Sequence, residues 1–512
     1  VYNKYIKGQN YLMTSVVPTG QLDLAVQGAT KAEVYIEEVK QDVANEEVGQ
    51  GEEAVYEKTI SKYDRSEPKF GDLPLFAAPE VWNSSLDNGM EILGIQNSEV
   101  PLVQFDITIP GGQKLDPEGK AGVANLLSDL MMEGTANKTP AELEQAIGLL
   151  GANIRFYSSN EDFHISGTSL TKNFDATIKL VQEILLQPRW DAIEFVRLKQ
   201  ALETNLKGRE ANPSSIASLA FYKLLYGTSN NFGISGSGSL ESTAGITMED
   251  LKAYYKKLSP NDATFHVAGA ISEDEVKNAL KDLTSAWTTA SVKLPEQKIE
   301  PLGKAGKLYF INFPEAKQSV FLIGKLALSA TNEDANKLAF SNEILGGGSS
   351  GKLFQTLRIG KGYTYGAYSG ISENLEVSPF YVSTSVRANA TLPSLKIIEE
   401  MLANYAKDFG KEEMELTKNK LLKENTRAFE SLGAKLSILQ DISKYDKAPS
   451  FIKDKQEELL AMSLEDFKDV IENYLQEKEM IYVVVGDKET QLEEVKKLGK
   501  EVVELDIYGN KL

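Results

Sequence analysis

The 512-residue chain repeats one pattern of helix, turn and strand, and this repeat limits the available folds more than any other feature. One copy reads "ITMEDLKAYYKKLSPNDATFHVAG" from Ile246, and another reads "MSLEDFKDVIENYLQEKEMIYVVVGD" from Met462. Near its start each copy has a hydroxyl side chain followed by acidic residues, which predicts a helix start. Each copy ends in a β-branched run typical of a strand. Two large units therefore end near residues 285 and 490.

A shorter copy lies at the start of the chain. The segment "YIKGQNYLMTSVVP" from Tyr5 predicts the same helix end, turn and strand. We interpret residues 1–20 as the C-terminal tail of a preceding repeat whose body is missing. Because the opening "VYNKYIKGQN" contains no Met, we expect the chain to begin inside a longer gene product.

The two large units also open alike. In "EVWNSSLDNGMEILGIQN", Asn88 and Gly89 between strand-like runs predict a hairpin, and the alternating run "PLVQFDITIPGG" follows it. In the second unit, "GKLYFINFPEAKQSVFLIGKLA" has the same strand–turn–strand form, and a helical pattern follows in both units. These features predict an α+β protein of two homologous domains, residues 80–290 and 303–512. Each would be a largely antiparallel sheet with helices packed on it, and residues 291–302 would link the two.

Residues 21–79 differ from the rest in composition. The stretch "EEVKQDVANEEVGQGEEAVYEK" is acidic and has few large apolar side chains, which favours an extended connector. An acidic surface helix is the alternative interpretation.

Charge and composition exclude several classes of function. A formal net charge of −19 argues against a nucleic-acid partner, because phosphate binding needs clustered Lys and Arg. No apolar run reaches the roughly 18 residues that a membrane span needs. The absence of cysteine excludes disulfides and thiolate zinc sites.

The stretch "GVANLLSDLMMEGT", residues 122–135, follows a strand-like run that ends in a Gly pair. From about residue 80 onward the layout resembles the pitrilysin–insulinase family of zinc peptidases, whose inverted motif is H-x-x-E-H on a helix. The two His positions of that motif fall on Asn125 and Asp129, and its Glu position falls on Ser128. Two His side chains four residues apart can hold one Zn²⁺, and the Glu between them activates the metal-bound water. Here these metal positions are degenerate.

The resemblance places the third zinc ligand in "LKQALETNLKGREANP", near Thr204 or Asn205, with Glu203 adjacent. Asn125 is a poor zinc ligand, Asp129 alone cannot hold the metal, and Ser128 cannot replace a carboxylate base. We therefore predict no metal and no cofactor in this chain.

The only two histidines, His164 and His266, lie in the strand-like runs "DFHISG" and "TFHVAG", and we interpret both as structural.

The stretch "LGGGSSGKLFQTLRIGKGYTYGAYSG" in the second unit resembles the family's C-terminal signature, with Arg358 and Tyr365 seven residues apart. The resemblance implies that this pair reaches the zinc-bearing domain, holds the substrate backbone and stabilises the charge of the tetrahedral intermediate. The alternative is a buried Arg and a packing Tyr in a strand hairpin.

Residues 346–353, "GGGSSGKL", nearly match a phosphate-binding loop. Leu353 stands where that loop needs a hydroxyl for Mg²⁺, and a helical pattern rather than a strand precedes it. Nucleotide binding is therefore a poor interpretation, and no base lies near the Ser pair to support a serine nucleophile.

The resemblance implies the non-zinc-binding half of a two-part metallopeptidase. We expect this chain alone to be inactive and to form a heterodimer with a zinc-bearing subunit, or with an upstream half of the same polypeptide. Together they would enclose and cleave unfolded peptides, and Arg358 and Tyr365 would be lent to the partner's site. The alternative is a catalytically inert structural or peptide-binding subunit of the same fold. By resemblance to bacterial two-part members, the expected compartment is the periplasm.

Overall fold

The computed structural model describes residues 2–10, 12–18, 20–30, 59–65, 79–424 and 429–512. The chain divides into two units, Val1–Lys62 and Tyr63–Leu512. In the first unit a short helix, α1 (Tyr2–Tyr5), is followed by residues 12–18, which have no regular secondary structure. The strand predicted there is wrong. Most of the segment predicted to be an acidic connector, residues 31–58 and 66–78, lies outside the described residues.

The second unit contains two six-stranded sheets, which confirms the prediction of a two-domain α+β fold. The strands of the first sheet are β1 (Trp82–Ser85), β2 (Glu91–Gln96), β3 (Leu102–Pro110), β4 (Asn153–Ser158), β5 (Asp162–Leu170) and β6 (Thr264–Gly269). Those of the second are β7 (Leu308–Asn312), β8 (Gln318–Leu328), β9 (Thr364–Ile371), β10 (Ser378–Arg387), β11 (Ile481–Gly486) and β12 (Val502–Leu505).

The strand orders are β1-β2-β6-β3-β5-β4 and β12-β7-β11-β8-β10-β9. Most neighbouring strands are antiparallel, as predicted, but β2 pairs with β6 in parallel, and β7 pairs in parallel with both β11 and β12. Strands β6 and β11, which end the two copies of the repeat, each insert between two strands that are consecutive in sequence. All six residues of β11 are buried, as expected for a strand with neighbours on both sides and layers on both faces.

Helices fill the sequence between the strands. In the first half they are α2 (Val123–Met131), α3 (Pro140–Leu149), α4 (Phe174–Leu186), α5 (Ala192–Glu210), α6 (Pro213–Tyr226), α7 (Leu240–Gly245), α8 (Met248–Tyr255) and α9 (Glu273–Ala286). In the second half they are α10 (Ala335–Gly346), α11 (Lys352–Phe354), α12 (Thr391–Asp408), α13 (Lys411–Glu424), α14 (Leu432–Tyr445), α15 (Phe451–Ala461), α16 (Leu464–Tyr474) and α17 (Lys488–Lys496).

The predicted helix starts of the repeat are confirmed. Thr247 and Asp250 form a reciprocal capping box at the start of α8, and Ser463 and Asp466 form the same box at the start of α16. The helices that pack on each sheet bury a separate apolar core, so each half is built as a domain of its own.

Two helices pack on the sheet of the other half. Helix α6, which belongs to the first half by sequence, contacts β8 and β11 of the second sheet. It joins a third apolar cluster there with strand residues such as Tyr309, Ile311 and Val483. Conversely, α14 of the second half contacts β2, β3 and β6 of the first sheet. Each half therefore covers one face of the other half's sheet.

Buried ion pairs also join the halves. The Lys444 ammonium lies 2.8 Å from an Asp162 carboxylate oxygen and 3.0 Å from one of Glu161, and both carboxylates are almost fully buried. Lys114 lies between Glu161 at 3.5 Å and Glu376 at 3.4 Å. Breaking such a buried pair would leave an uncompensated charge, so these contacts fix how the two halves sit together. Within the described residues, every helix is too short or too polar to cross a lipid bilayer.

Candidate functional site

Helix α2 carries the three residues on which the sequence analysis placed the zinc motif. The Asn125 amide donates to Asp129 at 3.4 Å, so these two side chains share one helical face, as their spacing predicts. The Ser128 hydroxyl is buried and donates to the Asn125 carbonyl at 2.7 Å. Ser128 therefore serves the helix backbone and offers no free base.

Asp129 is open to solvent on one side and surrounded by protein on the others. This desolvation raises the pKa of Asp129 to about 6, and the nearby Glu133 carboxylate adds to the shift. A lone carboxylate of this kind can exchange a proton near neutral pH.

Helix α5 packs against α2 and carries the region in which the resemblance placed the third zinc ligand. The Thr204 hydroxyl donates to the Gln200 carbonyl within the helix at 2.9 Å, and Asn205 is exposed. Glu203 is partly buried. In the described part of the chain, no three His, Asp or Glu side chains are arranged to hold a metal ion.

The start of α2 depends on Asp116, a residue that the sequence analysis missed. Its carboxylate accepts from the backbone N–H groups of Gly122 and Ala124, each at 2.8 Å, and so satisfies donors that the helix leaves free. Burial outweighs these bonds and raises the pKa of Asp116 to about 7. The available signal was the sequence "LDPEGKAG", with an acidic residue just before a glycine-flanked helix start.

Arg358 lies on a π-helix, Gln355–Gly360, that directly continues α11. Its Nη1 donates to the Tyr365 carbonyl oxygen at 2.6 Å. Its guanidinium carbon lies 4.2 Å from the centroid of the Tyr365 ring and 5.0 Å from that of the buried Phe354 ring. The guanidinium is thus held by two rings and a carbonyl. π-helical turns are rare in proteins, and those that occur are often found at functional sites.

Tyr365 lies on the edge strand β9, and 85% of its surface is exposed. The β9–β10 pairing shifts register there, because Tyr365 and Gly366 together oppose the single residue Ser385. Hydroxyl groups stabilise this β-bulge: Thr364 donates to the Ser385 carbonyl at 2.6 Å, and Thr384 donates to the Gly366 carbonyl at 2.9 Å. A bulge re-aims the side chain it carries. Of this pair, Tyr365 is exposed and Arg358 is half-buried.

The phosphate-loop sequence does not have the context of such a loop. Helix α10, not a strand, precedes residues 347–351, and the Lys352 ammonium lies 2.9 Å from a Glu413 carboxylate oxygen. This lysine is occupied by an ion pair within the fold.

The two histidines lie on β5 and β6, as predicted, and the structure brings them together on either side of Asp106 of β3. His164 Nδ1 lies 3.0 Å from the Asp106 carboxylate, and His266 is completely buried. Asp106 was missed by sequence analysis, because an acidic residue in an otherwise apolar strand gives no indication of its cross-strand partners.

Two family models match this chain. The model described as "Insulinase (Peptidase family M16)" matches residues 92–230, and the one described as "Peptidase M16 inactive domain" matches residues 245–421. The chain belongs to the insulinase family, peptidase family M16.

Relatives of this M16 chain include proteins named as proteases and one named as a non-peptidase. The "uncharacterized zinc protease YmxG" of Bacillus subtilis is 23% identical over 68% of this chain and 85% of the relative. The "non-peptidase homolog YmxG" of Helicobacter pylori is 21% identical over 77% of this chain and 91% of the relative. The peptidase M16 inactive domain from Pseudomonas fluorescens superposes with a TM-score of 0.74 at 25% identity, over 80% of this chain and 98% of that one.

The zinc ion that M16 peptidases use does not fit the residues present here. The residues that the sequence analysis aligned with the motif offer an amide, a buried hydroxyl and a single carboxylate, where the motif needs two imidazoles and a catalytic carboxylate. In the described part of this insulinase-family chain, α2 and α5 pack together without three side chains that could hold a metal ion.

Proposed function

We propose that this chain is the non-zinc-binding half of a two-part M16 metallopeptidase. A zinc-bearing subunit, or an upstream half of the same polypeptide, would supply the metal, its ligands and the general base. This chain would close over the substrate and lend Arg358 and Tyr365 to the partner's site. The observation that carries the proposal is the contrast between a degenerate α2 and an Arg–Tyr pair presented on an exposed, bulged strand edge.

The chemistry available to the pair supports this role. Arg358 stacks on Tyr365 and is fixed by the Tyr365 carbonyl, so its remaining N–H donors are held in a defined direction. Among the described residues, no hydrogen bond to the Tyr365 hydroxyl is found, and the ring projects into solvent. A fixed cation beside a free phenol can bind a peptide carbonyl and stabilise an oxyanion that develops from it.

The substrate class follows from the strand that carries the pair. Among the described residues, strand β9 pairs only with β10 and lies at the edge of its sheet, so its other side can accept the backbone of an extended peptide. Recognition by backbone hydrogen bonds needs little sequence preference, which suits unfolded peptides as substrates.

The test is isolation of the tagged chain from its native source under mild conditions. We expect a second M16 chain with an intact H-x-x-E-H motif to co-purify, bound zinc to stay with that chain, and peptidase activity to require both. Arg358→Ala or Tyr365→Phe should lower the rate of the reconstituted pair by about 10²-fold or more, the usual loss for an oxyanion donor. Tyr368→Phe is the matched control, because Tyr368 is exposed on the same strand.

The relative named a non-peptidase homolog favours a second candidate, an inert structural or peptide-binding subunit. In that case Arg358→Ala and Tyr365→Phe would leave every activity of the isolated complex unchanged.

A further inference from the structure

Helices α6 and α14, each of which packs on the sheet of the other half, are equivalent in the repeat, and we call them twins. Their interfaces differ in polarity. Both end in a tyrosine whose hydroxyl donates to a backbone carbonyl before β10: Tyr226 of α6 to Val377 at 2.6 Å, and Tyr445 of α14 to Glu373 at 3.1 Å. Aligning these tyrosines places Leu224 of α6 opposite Ser443 of α14. This alignment sets the two interfaces side by side, with Leu224 buried and Ser443 exposed.

The interface of α6 is apolar. Leu224 belongs to the same buried cluster as Val483 of β11. Strands β6 and β11 both have six residues and end in Gly, so Val483 is the residue equivalent to His266. The interface of α14 is polar at the same position. Ser443 Oγ lies 2.6 Å from Nε2 of the buried His266. Polar groups of the α14 interface thus stand where the α6 interface has apolar side chains.

The polar cluster spans three adjacent strands beneath α14. His266 Nδ1 lies 3.3 Å from the Asp106 carbonyl oxygen and 3.4 Å from the Thr108 hydroxyl, and that hydroxyl donates to the Asp106 carboxylate at 2.7 Å. Because a carbonyl can only accept, Nδ1 carries a proton. Ser443 Oγ lies 2.6 Å from Nε2 and 3.2 Å from the Gln440 carbonyl oxygen, and in the neutral imidazole that full burial favours, its single hydrogen goes to Nε2. The imidazole is neutral in this arrangement.

The surroundings oppose a charge on His266. Burial lowers its pKa to about 4, although the Asp106 carboxylate counteracts this. The other titratable groups that face it are His164 of β5, whose Nδ1 lies 3.0 Å from Asp106, and Tyr157 of β4, which stacks on His164. Strand β2 places Leu93 beside His266, and its charged residue on that face, Glu91, is exposed.

On α14 itself the neighbouring charges are already paired. The Lys444 ammonium binds Glu161 and Asp162, and the Asp441 carboxylate lies 3.7 Å from the Lys447 ammonium. Lys435 donates to the Phe429 carbonyl. None of these contacts supplies an anion to His266 beyond Asp106, which is itself shared with His164.

We propose that α14 is an acid-sensitive clamp between the two halves. The clamp is closed while His266 is neutral and bonded to Ser443, and opening of α14 rehydrates His266 and takes up one proton. Acidification below the ordinary titration range of histidine therefore favours the open clamp. The twin contact made by α6 has no titratable group and does not respond.

The size of the effect follows from proton linkage. An imidazole that regains its ordinary pKa of about 6.5 on opening favours the open state by about thirtyfold at pH 5.0 relative to pH 7.5, and partial rehydration gives about tenfold.

Hydrogen exchange on the full chain tests this proposal, with α6 as an internal control. Protection factors, which remove the intrinsic pH dependence of exchange, are compared at pH 7.5 and pH 5.0 for peptides from both helices. We expect protection of α14 to fall about tenfold or more and that of α6 to stay within about twofold. Equal responses of the two helices would overturn the proposal.

His266→Val copies the twin residue Val483 and should abolish the pH response of α14 while leaving it protected. The double variant His266→Val/Ser443→Leu copies the complete twin contact and should behave likewise. A pH response that persists in a folded variant would contradict the clamp. Since the chain contains two histidines, NMR titration of the imidazoles gives an independent measurement. We expect His266 to stay neutral at pH 5.5, and titration near pH 6.5 would also overturn the proposal.

Discussion

The Lys199 and Lys418 ammonium groups make the same contacts in the two halves of the chain. Lys199 of α5 donates to the Ala244 and Ile246 carbonyls at 2.8 and 3.0 Å, and Lys418 of α13 donates to the Leu460 and Met462 carbonyls at 3.0 and 2.6 Å. Each lysine thus closes the C-terminal end of a helix one turn before the next helix begins. The internal repeat extends to individual hydrogen bonds.

We expect Lys199→Met and Lys418→Met each to lower the free energy of unfolding by about 1–2 kcal/mol, because each leaves two carbonyls without their charged donor. Thermal unfolding by calorimetry measures the change. Lys207→Met, on the exposed face of α5, is the control and should change stability by less than about 0.5 kcal/mol. A loss of stability in only one of the two variants would contradict the expectation that the equivalent contacts contribute equally.

Asp116 should make stability depend on pH in the direction opposite to most carboxylates. A carboxyl whose pKa is raised on folding holds its proton more tightly in the folded chain. Its contribution is therefore fully present below pH 4 and is lost as the pH rises towards 7. Asp116→Asn removes this dependence. Relative to the unaltered chain, the variant should gain up to about 1.4 kcal/mol per pH unit between pH 4 and pH 7.

Unfolding midpoints of both proteins at pH 5 and pH 7.5 measure this difference. Asp282→Asn, at an exposed position of α9, is the control. A difference in unfolding midpoint between Asp116→Asn and the unaltered chain that is the same at both pH values would contradict the expected effect.

Thr364→Val should change the position of the Tyr365 side chain without altering that residue itself. The Thr364 hydroxyl donates to the Ser385 carbonyl and accepts from the Gly366 N–H at 3.0 Å, and both contacts define the bulge. Their loss should cost about 1 kcal/mol locally and speed hydrogen exchange in β9. In the reconstituted peptidase the rate should fall by less than for Tyr365→Phe. Thr364→Ser, which keeps the hydroxyl, should restore both the protection and the rate.

Local structure was predictable where the sequence has a short-range signal. The capping boxes at Thr247 and Ser463, the alternating strand β3 and the helix that carries Asn125 and Asp129 all follow from spacings of two to four residues. These patterns depend on one element at a time, so one sequence is enough to identify them.

What the sequence could not give depends on contacts between distant segments. The insertion of β6 between β2 and β3, and of β11 between β7 and β8, requires pairing over more than 150 residues, which no local pattern encodes. The packing of α6 and α14 on the sheet of the other half could not be predicted either, since both have the sequence pattern of ordinary helices. The bulge at Tyr365 was missed because it depends on the register of β10, although Gly366 was a hint.

Restoring the zinc motif should test whether α2 and α5 keep the geometry of a metal site. Asn125→His, Ser128→Glu and Asp129→His rebuild H-x-x-E-H, and Asn205→Glu adds a third ligand from α5. We expect the fourfold variant to bind about one Zn²⁺ per chain. The same variant without Asn205→Glu should bind zinc more weakly, because two ligands and water do not complete the site.

The zinc content of the unaltered chain, purified alone and dialysed after exposure to excess Zn²⁺, tests the central claim most directly. Elemental mass spectrometry should find far less than one zinc per chain, while the fourfold variant in the same experiment retains the metal. One tightly held Zn²⁺ per unaltered chain would contradict the proposal that the metal of the two-part enzyme resides on a partner.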